Sequence, residues 1–305
     1  MSRSEPRYMG GQAVLEGVMM RGEATWAVAV RRPDGEITVD VRHVAGWSER
    51  YRNVPVVRGV TGLGESLALG YRALTWSANQ QVPEEEQVSE KAMGWAVAGA
   101  VIVFSALFIV LPALAGNSLR HVFHGSFPIV EGLARLALFI VYLLVIGNLG
   151  DIKRVFQYHG AEHKAIAAYE NDVELTPETA QQFSTAHVRC GTNFLLTVMV
   201  IAIVIYSLIP RPNLWFVIAS RIVLVPVIAG VSYEVIRLAA KNIQRRWVRA
   251  LMRPGLLLQR LTTREPDLDQ LEVAITSLRA VMSAEQIADV DARVGQRVPR
   301  IAPAV

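Results

Sequence analysis

Residues 151–194, DIKRVFQYHGAEHKAIAAYENDVELTPETAQQFSTAHVRCGTNF, hold the side chains best suited to chemistry. His159, Glu162, His163 and Glu170 fall at i, i+3, i+4 and i+11. Those offsets return to nearly the same angle on a helix, so all four project from one face. Two imidazoles one turn apart can bracket a single divalent ion, and zinc is the simplest choice. Glu162 then acts either as a third ligand or as the base that deprotonates water at the ion. His-x-x-Glu-His is also the inverted zincin order, which points to hydrolysis.

Further along, Thr176-Pro177 reads as the cap and first turn of a short helix that returns the chain. It leads to His187, Arg189 and Cys190, where imidazole and thiol are the softer ligands that suit zinc or iron. Glu170, His187, Cys190 and the distant Glu234 are the candidates to complete the shell. Plainer roles compete with each. An imidazole pair can hydrogen-bond lipid phosphates, Glu170 can be a solvated carboxylate, and cysteine is often just a small buried apolar residue.

The elements that must position these residues look membrane-bound. Of 305 residues, 52% are hydrophobic and 19% charged, with a mean hydropathy of +0.30. That exceeds the usual apolar share of a soluble domain. Four apolar segments suggest spans near 95–114, 130–149, 194–209 and 214–235, with the central helix continuing the second. Pro210 and Pro212 make the last two a helical hairpin. Lys and Arg number eleven in residues 1–92, four in 150–192 and twelve from Arg237 onward. Residues 115–128 and 210–213 carry one each. The positive-inside tendency therefore puts both termini and the central loop in the cytoplasm, which requires an even number of spans. A net charge of +4 fits flanks facing anionic lipid, and no nucleic-acid partner is expected. No signal-peptide pattern opens the chain, and the single Cys190 excludes an intramolecular disulfide.

The predicted fold class is mainly α. It is a polytopic integral membrane protein with about four transmembrane helices. The expected divisions are an N-terminal cytoplasmic α+β region (1–92), a transmembrane domain (93–240) with a cytoplasmic loop at 150–192, and a C-terminal cytoplasmic helical tail (241–305). Residues 25–42 read as a β-hairpin around Pro33-Asp34-Gly35. Residues 56–80 form an amphipathic helix, and Leu271, Ile275, Leu278 and Met282 mark another over 267–282. Ser283 to Gln286 look like a capping box for a further turn. Arg245, Arg246, Arg249 and Arg253 suit a helix lying on lipid. The segment Gly10 to Gly22 mixes glycines with Gln12, Glu16 and Arg21 and reads as a loop able to approach a phosphate or a membrane closely, though not a Walker loop. Its plainer role is a structural turn packed on the hairpin. Arg135, Arg221 and Glu234 are charges in or near spans, where charges usually serve function.

GGQAVLEGVMMRG, YRALTWSANQ, FQYHGAEHKAIAAYE, HVRCGTNFLL, GVSYEVIRLA and PGLLLQRLTTREPDLDQLEVAI occur in this order over nearly the whole chain. Together they resemble the bacterial YqhQ-like family, a family of unknown function. The resemblance implies a bacterial inner-membrane, multi-pass protein and a metal-dependent enzyme. It implies a metal site at His159, Glu162 and His163, with His187 or Cys190. The family pattern has Pro where this chain has Val188, which loosens the turn before Arg189 without removing a candidate ligand.

The leading expectation is a metal-dependent membrane hydrolase with a divalent metal, zinc first, at the cytoplasmic interface. Its substrate is a membrane-bound peptide or a lipid, and an oligomer is compatible with the pattern. The alternatives are a non-catalytic assembly factor and a small transporter lined by Arg135, Arg221 and Glu234.

Overall fold

The computed structural model describes residues 9–22, 24–44, 46–112, 114–115, 127–187, 190–209 and 213–282. The turns at 210–212, the capping box at Ser283 and the candidate Arg189 lie outside these residues. The chain is mainly helical with one small antiparallel sheet of order β1-β2-β3-β4. The strands are β1 (Gly10–Val14), β2 (Gly17–Arg21), β3 (Thr25–Arg31) and β4 (Ile37–His43).

The hairpin expected around Asp34-Gly35 is β3–β4, with Gly35 at φ 92° in the left-handed region that glycine tolerates. The expected glycine-rich loop is instead a second hairpin, β1–β2. Its glycines serve close strand packing: a Cβ on Gly17 would fall 2.1 Å from the Ala29 carbonyl oxygen. β3 is buried on both faces, so its apolar residues run without polar alternation. One face, with Val18, Met20, Ala27 and Ala29, joins the main core. The other, with Met19, Trp26, Val28 and Val30, packs on Leu69 and Ala73 of α1 (Val57–Gln80).

Among the described residues two helices are long and apolar enough to cross a membrane: Glu90–Val110 and Ile129–Ile146, each of mean hydropathy 2.3. The first comprises α2 (Glu90–Ser105) and a π-turn at Ala106–Val110; the second lies within α3 (Phe127–Ile146). The helix α6 (Gly191–Ser207) is apolar but shorter. The segment expected as one span over 214–235 is a pair, α7 (Leu214–Val223) and α8 (Val225–Lys241), bent by 44°. Pro226 in the first turn of α8 cannot donate the bond that would continue α7. Counting the bent pair as one raises the candidates to three.

The central helix α4 (Gly150–Glu170) does not continue α3, contrary to expectation. The chain turns at 147–149, where a Cβ on Gly147 would meet the Leu143 oxygen at 2.8 Å and Phe156 at 3.2 Å. After α5 (Pro177–Gln181), capped by Thr176 as expected, and the apolar helices come α9 (Arg246–Thr262) and α10 (Leu268–Val281). α10 carries a complete capping box at Asp267 and Gln270. It is no free cytosolic helix: it packs on α4, β2 and β3, with Leu271, Ala274 and Leu278 fully buried beside Tyr158, Ala161 and Ala165 of α4. The N-terminal strands, the central helix α4 and α10 therefore share one core.

Candidate metal centre

α4 is buried along residues 160–166, an Ala-rich stretch whose small residues let neighbours approach. Gly160 is the tightest point. A Cβ there would sit 2.1 Å from the Arg264 carbonyl oxygen, so the α9–α10 linker crosses the helix at that glycine. The crossing is fastened by Arg264 N–H donating to Phe156 O at 2.9 Å. It brings the end of α9 against His159.

His159 Nδ1 lies 2.8 Å from the Thr262 carbonyl oxygen, and His163 Nδ1 is bonded to the Thr185 carbonyl oxygen. A carbonyl only accepts, so each Nδ1 carries the ring proton and each Nε2 presents a lone pair. The rings meet edge to face, 4.5 Å between centroids. Cys190 caps the N-terminus of α6, its Sγ accepting from Thr192 N–H at 3.4 Å. The same Sγ lies 3.3 Å from His159 Nε2.

One ligand atom from each of His159, His163 and Cys190 lies within 4.8 Å of the others. A zinc ion with bonds of ~2.0–2.3 Å holds its donors roughly 3–4 Å apart, so a small inward movement closes the set. Imidazole protons committed to backbone carbonyls are the usual orientation of metal-bound histidine. The donors present thus fit a divalent metal of zinc type.

Glu162 is buried beside this cluster, one carboxylate oxygen 4.0 Å from His159 Nε2. Burial pushes its carboxyl above the ordinary range, while His159, His187 and the Gly11 backbone N–H pull the other way. β1 comes that close because position 11 is glycine: a Cβ there would be 3.0 Å from Glu162 Cγ. Burial also holds His163 down at about 3, leaving it neutral and able to ligate. The Cys190 thiol is pushed up to about 11, mainly by burial. A thiol beside an imidazole is also a nucleophile–base pair, but a thiol so reluctant to ionise is poorly activated for attack.

His187 lies at the rim, its ring centroid 5.7 Å from that of His163. Its Nε2 pairs with Glu170 at 3.3 Å, which brings Glu170 to the cluster through His187. Gln259 on α9 holds His187 from both sides of its backbone, accepting from its N–H at 2.9 Å and donating to its carbonyl at 2.8 Å. Burial lowers the His187 pKa.

Other candidates go elsewhere. Glu234 pairs with Arg58 and accepts from the Val56 N–H at 3.2 Å, tying α8 to α1. Arg21 and Ser48 both bind Glu65 of α1. Glu16, in the β1–β2 turn at φ 51°, pairs with Arg154 of α4. Gln12 lies against Gly70 of α1. Residues that sequence reasoning passed over do the positioning: Gly11, Gly160, Thr185, Gln259 and Thr262. The GGQ and LLLQRLTTRE blocks contain three of them and were the available signal.

A mainly helical chain with a small antiparallel sheet and a histidine–cysteine cluster set between its central helix, the end of α9 and the start of α6 is the class of protein this fold and site define. The chain belongs to the family described as "Protein of unknown function (DUF1385)", which matches residues 54–284. It is similar to "Uncharacterized protein YqhQ" of Bacillus subtilis (strain 168), 34% identical over 303 residues that cover 93% of this chain and 95% of that protein. No solved structure matches it.

Proposed function

We propose that this protein is a metal-dependent membrane hydrolase, with His159, His163 and Cys190 holding a divalent ion, zinc first. The observation that carries the proposal is the convergence of those three donors with both Nδ1 protons tied to backbone carbonyls. A bound ion supplies Lewis acidity, polarising a carbonyl or phosphoryl oxygen and easing deprotonation of water. Glu162 is the proton acceptor, and a carboxyl raised by burial suits a base working near neutrality. His187 with Glu170 is the second proton-handling pair at the rim.

The bacterial inner membrane is the proposed location. The sheet touches both α4 and α10, so the N-terminal strands, the central helix and α10 share one side of any membrane. The number of crossings before α4 and after it is then even. With α2 and α3 as the first two, α6 and the bent α7–α8 pair make four, and Lys and Arg put the shared side in the cytoplasm. α9 exposes Trp247 and Leu251 on the same helix that holds Gln259 and Thr262 against the site. That arrangement favours a membrane-bound peptide or lipid as substrate.

The test is zinc per chain, measured with any growth phenotype of cells lacking the protein. Wild type should purify with near-stoichiometric zinc and His163→Ala without it. Glu162→Gln should keep zinc and fail to restore growth. Loss of zinc in Glu162→Gln would make it a ligand. Retention of both zinc and growth would favour the assembly factor over the enzyme.

A further inference from the structure

The helical bundle holds a second polar cluster at the end of α6 remote from Cys190. Glu131 and Arg135 of α3, Arg221 of α7 and Tyr206 of α6 line a small pocket with Gly132, Met199, Ala202 and Ile203. Residues 190 and 206 are sixteen apart on one helix, so the two clusters are roughly 24 Å apart along it at 1.5 Å per residue.

Among the described residues its charge does not balance. Arg221 takes both oxygens of Glu131 in a fork, Nη2 at 2.7 and 2.6 Å and Nε at 3.0 Å. Its Nη1 donates to the Val217 carbonyl at 3.3 Å, and its guanidinium lies 4.9 Å from the Tyr206 ring centroid. Arg221 is thus satisfied, and only 3% exposed. Arg135 reaches the same carboxylate with a single bond, Nη2 to Oε1 at 3.0 Å. Its Nε is buried with no partner among the described residues. Among the described lining residues Glu131 is the one acid against two guanidiniums. A water molecule would satisfy the Nε hydrogen but leave the excess positive charge, and an uncompensated charge in apolar surroundings is what folded proteins avoid.

We propose that Arg135 and Arg221, with Glu131 as their spacer, form a binding site for an anionic oxygen group, phosphate or carboxylate in chemistry. The planar guanidinium of Arg135 matches such a group, and its buried Nε is a donor without a partner among the described residues. Arg221 holds the carboxylate, Arg135 holds the ligand, and Tyr206 fixes Arg221 from beneath through its ring and through its hydroxyl, which donates to the Arg221 carbonyl at 3.0 Å. The ligand is either the phosphate of an anionic lipid or a free anion from the medium. This inference does not depend on the metal reading.

The full chain is purified and placed in nanodiscs of phosphatidylcholine. In one arm inorganic phosphate is titrated against chloride at equal ionic strength. In the other, phosphatidylglycerol replaces part of the lipid, and native mass spectrometry counts retained lipid. Wild type should gain several degrees in Tm in one arm, phosphate identifying a free anion and phosphatidylglycerol a headgroup. Arg135→Gln should weaken that response tenfold or more, and Arg135→Lys, which keeps the charge but not the fork, should fall between. Arg135→Lys alone serves if Arg135→Gln does not fold. A wild type indifferent to both additions overturns the proposal, as does a folded Arg135 variant that responds like wild type, since the arginines would then merely clamp Glu131.

Discussion

Cys190→Ser separates a structural cysteine from a ligand, because the structure gives this residue two jobs that serine performs unequally. As N-cap of α6, Cys190 accepts from Thr192 N–H through sulfur at 3.4 Å. Serine is a preferred N-cap, and a good cap is worth about 1 kcal/mol. Its hydroxyl also donates to His159 Nε2 as the thiol does. Without zinc the variant should therefore match or exceed wild type by up to about 1 kcal/mol, a rise of a few degrees at most in a chain this long. As a ligand, serine is far poorer than thiolate. Structural zinc sites are worth ~10–16 kcal/mol over four ligands, so one ligand carries about 3 kcal/mol and its loss weakens zinc about a hundredfold. The assay is zinc competition against a chromophoric chelator, with Tm recorded with and without EDTA. Wild type should lose several degrees on chelation, and Cys190→Ser almost none. Zinc affinity within threefold of wild type would refute the reasoning, as would a variant equally sensitive to EDTA.

Three other predictions follow from the same geometry. His163, held down mainly by burial at about 3, refuses a proton that the unfolded chain accepts below pH ~6.5. The zinc-stripped protein should thus be fully stabilised by this residue above pH 6.5 and lose on the order of 5 kcal/mol as pH falls toward 3, and His163→Gln should flatten that slope in urea unfolding at stepped pH. Gly160→Ala drives a methyl against the Arg264 carbonyl and should cost more than ~2 kcal/mol and release zinc, while Gly62→Ala, with open space around it, should be neutral or slightly stabilising by thermal unfolding. Glu234→Gln should lower Tm by loosening Arg58 and Val56 but leave zinc per chain unchanged, since Glu234 binds α1 and not the cluster.

The legible features were those written in local spacing. Asp34-Gly35 announced a hairpin because turn chemistry is local, and Leu271, Ile275 and Leu278 announced a helix because its apolar face has a period. The same rule hid what the faces touch: nothing in residues 268–281 says that their partner is a sheet 250 residues away. Gly11 and Gly17 looked like a loop because glycine marks both turns and close approach, and sequence does not distinguish them. His159 and His163 were readable one turn apart on one helix. Their orientation was not, because it comes from the carbonyls of Thr262 and Thr185, and every residue has a carbonyl. Glu234 was offered as a ligand on the strength of membrane side alone, which fixes depth but not lateral distance. Arg221 and Arg135 stand out in the sequence as charges in apolar surroundings, but that both share Glu131 is visible only once the fold brings Arg221 of α7 to α3.

The bond from Ser277 to the Ala27 carbonyl, 3.1 Å long and 250 residues apart in the chain, sets an order of events during synthesis. The sheet leaves the ribosome early, yet the helix that covers Val18, Met20, Ala27 and Ala29 follows only at residues 268–281. At ~5–20 residues per second the wait is about 10–50 s, with the apolar helices being delivered meanwhile. Throughout that time the young sheet is an aggregation hazard that must be shielded by a chaperone or by its neighbour α1. A message cut short before codon 268 yields a chain with this face of the sheet bare, ready for proteolysis. α10 works as a proofreading mark: a chain that stops short of it cannot close over the sheet.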